Sequence, residues 1–153
     1  MNTEKTIDVL NTLIQINNDR IEGYETASKE TKEHDLQSFF DDLAETSYNC
    51  RKELSAAVIG LGGTPTEGTK VSGKFFRVWM DVKAAITGKD RKAILNSCEY
   101  GEDMAKETYE KALKDNADYL TTDQQAMIKA QYVSLKTDHD KVKSMRDSLV
   151  EQD

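Results

Sequence analysis

Four stretches of this chain place apolar residues at alternating steps of three and four, and polar or soft residues interrupt each stripe near its middle. The first stripe is Ile7, Leu10, Ile14, Asn17, Ile21, Tyr24 and Ser28. The second is Leu36, Phe40, Leu43, Ser47, Cys50, Leu54, Ala57 and Leu61. The third is Leu95, Cys98, Glu102, Ala105, Tyr109 and Ala112, and the fourth is Ile128, Tyr132, Leu135, His139, Val142 and Leu149. Such steps keep residues on one face of an α-helix, whereas strands alternate every second residue. Four faces of this kind bury one another in a four-helix bundle. With helices of similar length, Asn17, Ser47, Cys50, Glu102 and His139 meet at one level of the core. A buried carboxylate is costly unless it is paired, hydrogen-bonded or metal-bound. That central polar cluster is therefore the place to look for function.

The 153 residues suit a single domain over 1–153, large enough to build a core without disulfides or metals. Pro65 is the one proline, and most of the glycines fall between residues 60 and 88. Long proline-free stretches on either side favour long helices. The first helix is expected over about 3–31, capped by Asn2 or Thr3, with Glu4 early and Lys29 late to suit its dipole. A short break near 33–35 makes Asp35 the expected N-cap of a second helix, which stops at Gly62-Gly63. Residues 62–72 read as a loop. Ser72 is the expected cap of a shorter helix over 73–87, whose stripe is Phe75, Trp79, Val82 and Ile86 and which Gly88 ends. The third long helix spans about 90–116 and the fourth about 122–151, with Thr122 and Gln125 resembling a capping box. The long link between the second and third long helices can carry the chain back along the bundle. Two hairpins joined by such a crossover form the ferritin-like arrangement.

A faint repeat supports that plan. Tyr24-Glu25-Thr26-Ala27 recurs as Tyr109-Glu110-Lys111-Ala112, 85 positions later. Seven residues before each tyrosine stand Asn17 and Glu102.

Net charge is −7, which disfavours general nucleic-acid binding. Residues 70–92 nonetheless carry +5, leaving −12 elsewhere, a split that suits self-association into a homo-oligomer. Basic and aromatic residues together in the crossover can bind nucleic acid or anionic lipid. The helical spacing of Phe75, Trp79, Val82 and Ile86 reads instead as a face docked on the bundle. Cys50 and Cys98 lie on inward stripes, and the N-terminus lacks a charged-then-apolar leader, so a reducing cytoplasm is expected. No apolar run reaches membrane-spanning length.

Ferritin-like di-iron proteins use a Glu from each of two helices and Glu-x-x-His from the other two. Aligned by the stripes, this chain offers Asn17, Glu102, Ser47 with Cys50, and Lys136 with His139. Only Glu102 and His139 match. The expectation is thus a buried hydrogen-bonded Glu102–His139 pair, no catalytic residues and no cofactor. The rival is a single zinc or iron on Glu102, His139 and Cys50, as part of a metal-binding oxidoreductase or iron-handling protein. Near Tyr24, the charges of Asp19, Arg20, Glu22 and Glu25 read either as a solvated face or as a network bridging to Glu99 or Glu110. Arg20, beside the stripe, suits a bridge. His34, beside Glu33 and Asp35 at the break between the first two helices, reads as a local capping residue rather than a surface metal ligand. No Gly-rich phosphate loop, Cys-x-x-Cys pair or nucleophile–base arrangement is present.

The segments INNDRIEGYETA (16–27), VSGKFFRVWMDVKAAITG (71–88), CEYGED (98–103) and YEKAL (109–113) resemble an uncharacterised bacterial family described as a ferritin-like four-helix-bundle domain of unknown function. The resemblance covers nearly the whole chain. It implies a ferritin-like fold and a soluble bacterial protein with loose relatives among stress-associated proteins. It implies no catalytic activity, so no catalytic residue carries over.

Overall fold

The computed structural model describes residues 2–68, 73–88 and 90–152, with side chains described over 2–68, 80–88 and 90–148. The described residues are helical, with no strand among them. Helix α1 runs Thr3–Glu30, and the Asn2 side chain accepts a hydrogen bond from the Lys5 amide at 3.1 Å. A three-residue break follows, closed by the Gln37 side chain donating to the Thr31 carbonyl at 2.8 Å. Helix α2, His34–Gly60, begins one residue earlier than its expected cap. Asp35 lies inside the first turn and pairs with Arg91, while Glu33 at the N-cap position makes no side-chain cap bond.

α2 ends where Gly62 takes a φ of 83°, a left-handed conformation that side chains resist. Beyond it the chain runs back along α1. The Asn11 side chain donates to the Thr64 carbonyl and accepts from the Thr66 amide, and Asn18 donates to the Gly68 carbonyl at 2.9 Å. Asn11 and Asn18 are seven residues apart, so one face of α1 carries both anchors. Helix α3, Gly73–Thr87, completes the crossover, with Val82 buried and Ile86 half-buried. The expected cap Ser72 and the expected docking residues Phe75 and Trp79 lie outside the described residues or side chains.

Helix α4, Arg91–Asp115, is capped by Asp90, which accepts from the Ala93 amide at 3.1 Å. A 3-10 turn over Ala117–Tyr119 leads to α5, Thr122–Gln152. The capping box before α5 forms one residue earlier than the spacing suggested. Thr121 and Gln124 exchange side-chain and backbone bonds at 3.1 and 2.9 Å. Gln125 instead donates to the carbonyls of Ala117 and Leu120, fastening the turn.

α1 packs beside α2 and α4, and α5 packs beside α4 and α2, so the four long helices close a ring in the order α1, α2, α5, α4. α3 lies against α4 and touches α1. Arg91 at the start of α4 reaches Glu33 and Asp35 at the start of α2, so these two helices begin at the same end. Two apolar clusters fill the two ends of the bundle. One contains Leu10, Leu13, Ile14, Leu54, Ile128 and Leu135, and the other Leu36, Phe40, Leu43, Val82, Ile94 and Val142. The polar side chains lie between them.

Candidate functional site: the polar core

Arg20 is the centre of this level. Its side chain is 1% exposed, among the largest side chains in the core. It sits three residues after Asn17 and four before Tyr24, which places all three on the inward face of α1. Nε and Nη2 both donate to Glu102 Oε1, at 3.1 and 2.8 Å. Nη2 also reaches Asp138 Oδ2 at 3.1 Å, and Nη1 donates to the Ser47 hydroxyl. Tyr24 donates its hydroxyl to the same Glu102 oxygen, and the guanidinium carbon lies 5.4 Å from the Tyr24 ring centroid. All four long helices thus converge on one guanidinium.

A second polar layer lies one to two turns away. Asn17 donates to the Tyr109 hydroxyl at 2.8 Å, and Tyr109 donates to Gln131 Oε1 at 2.7 Å. Gln131 in turn donates to the Cys50 carbonyl and to Glu53. The sequence repeat takes physical form here. Asn17 of α1 meets Tyr109 of α4, and Glu102 of α4 meets Tyr24 of α1. Because α1 and α4 lie side by side and antiparallel, each tyrosine meets the polar residue seven before the other tyrosine.

The electrostatics follow from one buried cation facing two carboxylates. Burial works against the Arg20 charge, but Glu102, Tyr24 and Asp138 outweigh it and push its pKa above the ordinary guanidinium value. Burial raises the Glu102 pKa, opposed by Arg20 and by the Tyr24 hydrogen bond and reinforced by Asp138. Among the described residues, Glu102 Oε2 and Asn17 Oδ1 are buried without a hydrogen-bond partner. Burial also holds Tyr24 and Tyr109 well above the usual phenol range. It pushes the Cys50 thiol up to about 11 and the Cys98 thiol up as well. Both cysteines are free, buried and poorly suited to thiolate chemistry.

All five side chains singled out by the stripes, Asn17, Ser47, Cys50, Glu102 and His139, are buried. The expected Glu102–His139 pair is not formed. Arg20 and Tyr24 take Glu102, and His139 turns to the flank of α4, where Nε2 lies 2.7 Å from Asp103 Oδ1. The reason is a helix face wider than the chosen stripe. Positions 131 and 138 point at the bundle axis, while 132 and 139 lie at its edge. Tyr132 is accordingly half-buried. Lys136, aligned above with the site, is exposed. Arg20 does bridge helices, but to Glu102 and Asp138. Glu99 pairs with Arg146, and Glu110 lies near the Tyr132 hydroxyl, whose pKa is raised by burial and then by Glu110. Glu25 accepts from Tyr48, Glu22 is exposed, and His34 is the exposed first residue of α2. The missed participants were Asp138 and Gln131, seven apart on α5. Their signal was that each falls three or four residues from Leu135.

A di-metal centre does not fit this donor set. Among the described residues the carboxylates at the Arg20 level are Glu102 and Asp138, and its guanidinium holds both. A dication placed there would meet a fixed positive charge at hydrogen-bonding distance from its own ligands.

The family described as "Domain of unknown function (DUF2383)" matches residues 5–115. That span takes in α1 to α4, and so Arg20, Ser47 and Glu102, while Gln131, Asp138 and His139 come from α5 beyond it. No match to a curated protein was found.

Proposed function

Since the chain belongs to this family, whose description assigns no activity, we propose from the core chemistry that the protein is a non-catalytic helical bundle of ferritin-like plan. In this reading an internal guanidinium fills the level where ferritin-like enzymes hold metal. The protein then acts as a binding or structural protein, and the sequence resemblance points to stress conditions as its setting. The observation that carries the reading is Arg20, fully buried and shared between Glu102, Asp138 and Ser47. The crossover between α2 and α4, anchored at Asn11 and Asn18, supports the ferritin-like plan. Two thiols pushed up by burial and a core salt bridge leave no activated nucleophile at this level.

The test is metal analysis of protein purified without chelator from iron-supplemented cells, with an assay of ferrous-ion oxidation. The expected result is no stoichiometric iron pair in the core and no oxidation above the buffer rate. Two irons per chain, lost on Glu102→Ala, would overturn the reading in favour of an oxidoreductase.

A further inference from the structure

The α4–α5 flank holds a second constellation, which the core network does not use. Glu99, Asp103 and His139 each offer a donor atom, and these atoms lie within 4.8 Å of one another. Glu99 and Asp103 are one turn apart on α4, and His139 enters from α5, which packs directly against α4. All three therefore stand on paired helices, not on loops. We propose that this flank is a binding site for one divalent first-row transition ion, of which zinc is the representative.

The second observation concerns the imidazole. Its Nε2 faces Asp103 Oδ1 at 2.7 Å and its Nδ1 faces Asp140 Oδ1 at 3.3 Å. A neutral imidazole carries one N–H, so it can satisfy only one of these carboxylates. The other ring nitrogen would aim a lone pair at an anion. A second electrophile, either a proton or a metal ion at Nε2, removes that conflict. With a metal ion there, Nδ1–H donates to Asp140, the carboxylate–histidine–metal relay that fixes ring and tautomer. Arg146 takes Glu99 Oε2 and holds that carboxylate against α5, and the second carboxylate oxygen is the donor left for the ion. Arg146 is shared between Glu99 and Asp147, so it does not neutralise Asp103 and Asp140, whose charge a dication offsets. One imidazole nitrogen and two carboxylate oxygens match the ligand preference of zinc and its neighbours, with water completing the shell. His139 is nearly buried and Asp103 half-exposed, so an ion can reach the site and still leave bulk water in part.

This inference is independent of the reading of the core. The site lies beside the Arg20 network and needs none of its residues. The test is equilibrium titration of the full chain with Zn²⁺ alone, against a chromophoric chelator, with helix content followed by circular dichroism. One Zn²⁺ per chain is expected. Asp103→Asn and His139→Gln should each weaken binding at least tenfold, and Asp140→Asn about tenfold, through the loss of its hold on the ring. The remote, exposed Glu4→Gln should leave binding unchanged. Mg²⁺ in large excess should not displace the ion. Absence of stoichiometric binding overturns the proposal. So does unchanged affinity in well-folded Asp103→Asn, or displacement by Mg²⁺, which would mark an ordinary acidic surface.

Discussion

Arg20 shows how a buried charge is kept. Every polar partner it uses is also buried, and without it Glu102 would keep only the bond from Tyr24. Removing one partner of a buried pair typically costs about 3–5 kcal/mol, since the survivor keeps its desolvation penalty. Glu102→Ala is therefore expected to lower unfolding free energy by about that much in urea titrations. Glu102→Gln should cost less, because an amide oxygen still accepts from Arg20 and Tyr24. The pH dependence has a defined sign. The Glu102 pKa is raised by burial, so the folded state binds its proton more tightly than the unfolded chain does. Its contribution is present below the ordinary carboxylate range and is lost as pH rises through its raised value. Asp35 acts in the opposite sense, because Arg91 lowers its pKa. Its contribution is present above the carboxylate range and lost as pH falls. Urea midpoints across pH should show a decline on the alkaline side of the carboxylate range that Glu102→Gln removes. A decline unchanged in that variant would assign it to other groups. At this scale the sequence was legible for Glu102 and Asn17, which break apolar stripes. It was less so for Asp138, because a charged residue one step from a stripe looks the same whether it points inward or outward.

The helices themselves were legible because their punctuation is local. Asn2, Asp90 and Gly62 act through bonds or torsions within a few residues, and each stands where the pattern changes. The misplaced cap before α5 was a case of two candidates side by side. Before α5, Thr121 and Thr122 both precede a Gln by three, and only packing of the 3-10 turn decides between them. Thr121→Ala is expected to cost about 1 kcal/mol in thermal or urea unfolding, the usual value of a lost N-cap. Thr122→Ala, at an exposed first helical position, should change stability by a few tenths at most. Equal losses in the two variants would place the cap wrongly. Asp35 misled for a different reason. Its long-range partner Arg91 lies on another helix, and no window of the sequence around Asp35 contains it.

For the molecule as a whole, the crossover follows from one long link together with two anchoring asparagines, and the repeat at Tyr24 and Tyr109 explains how its halves interlock. The polar level is the price of that interlocking: apolar clusters fill both ends, and the guanidinium joins all four long helices between them. The sequence contained both tyrosines, but their crossed pairing with Asn17 and Glu102 needed the antiparallel placement of α1 and α4. If Arg20 holds the core together through Glu102, the two residues must be energetically coupled. A double-mutant cycle of Arg20→Met and Glu102→Ala, read by urea unfolding in chelator-treated buffer, measures this directly. A coupling energy above about 1 kcal/mol is predicted, with the double variant more stable than the sum of the single losses implies. Additive losses, with no coupling beyond a few tenths of a kcal/mol, would contradict a core organised on the Arg20–Glu102 pair.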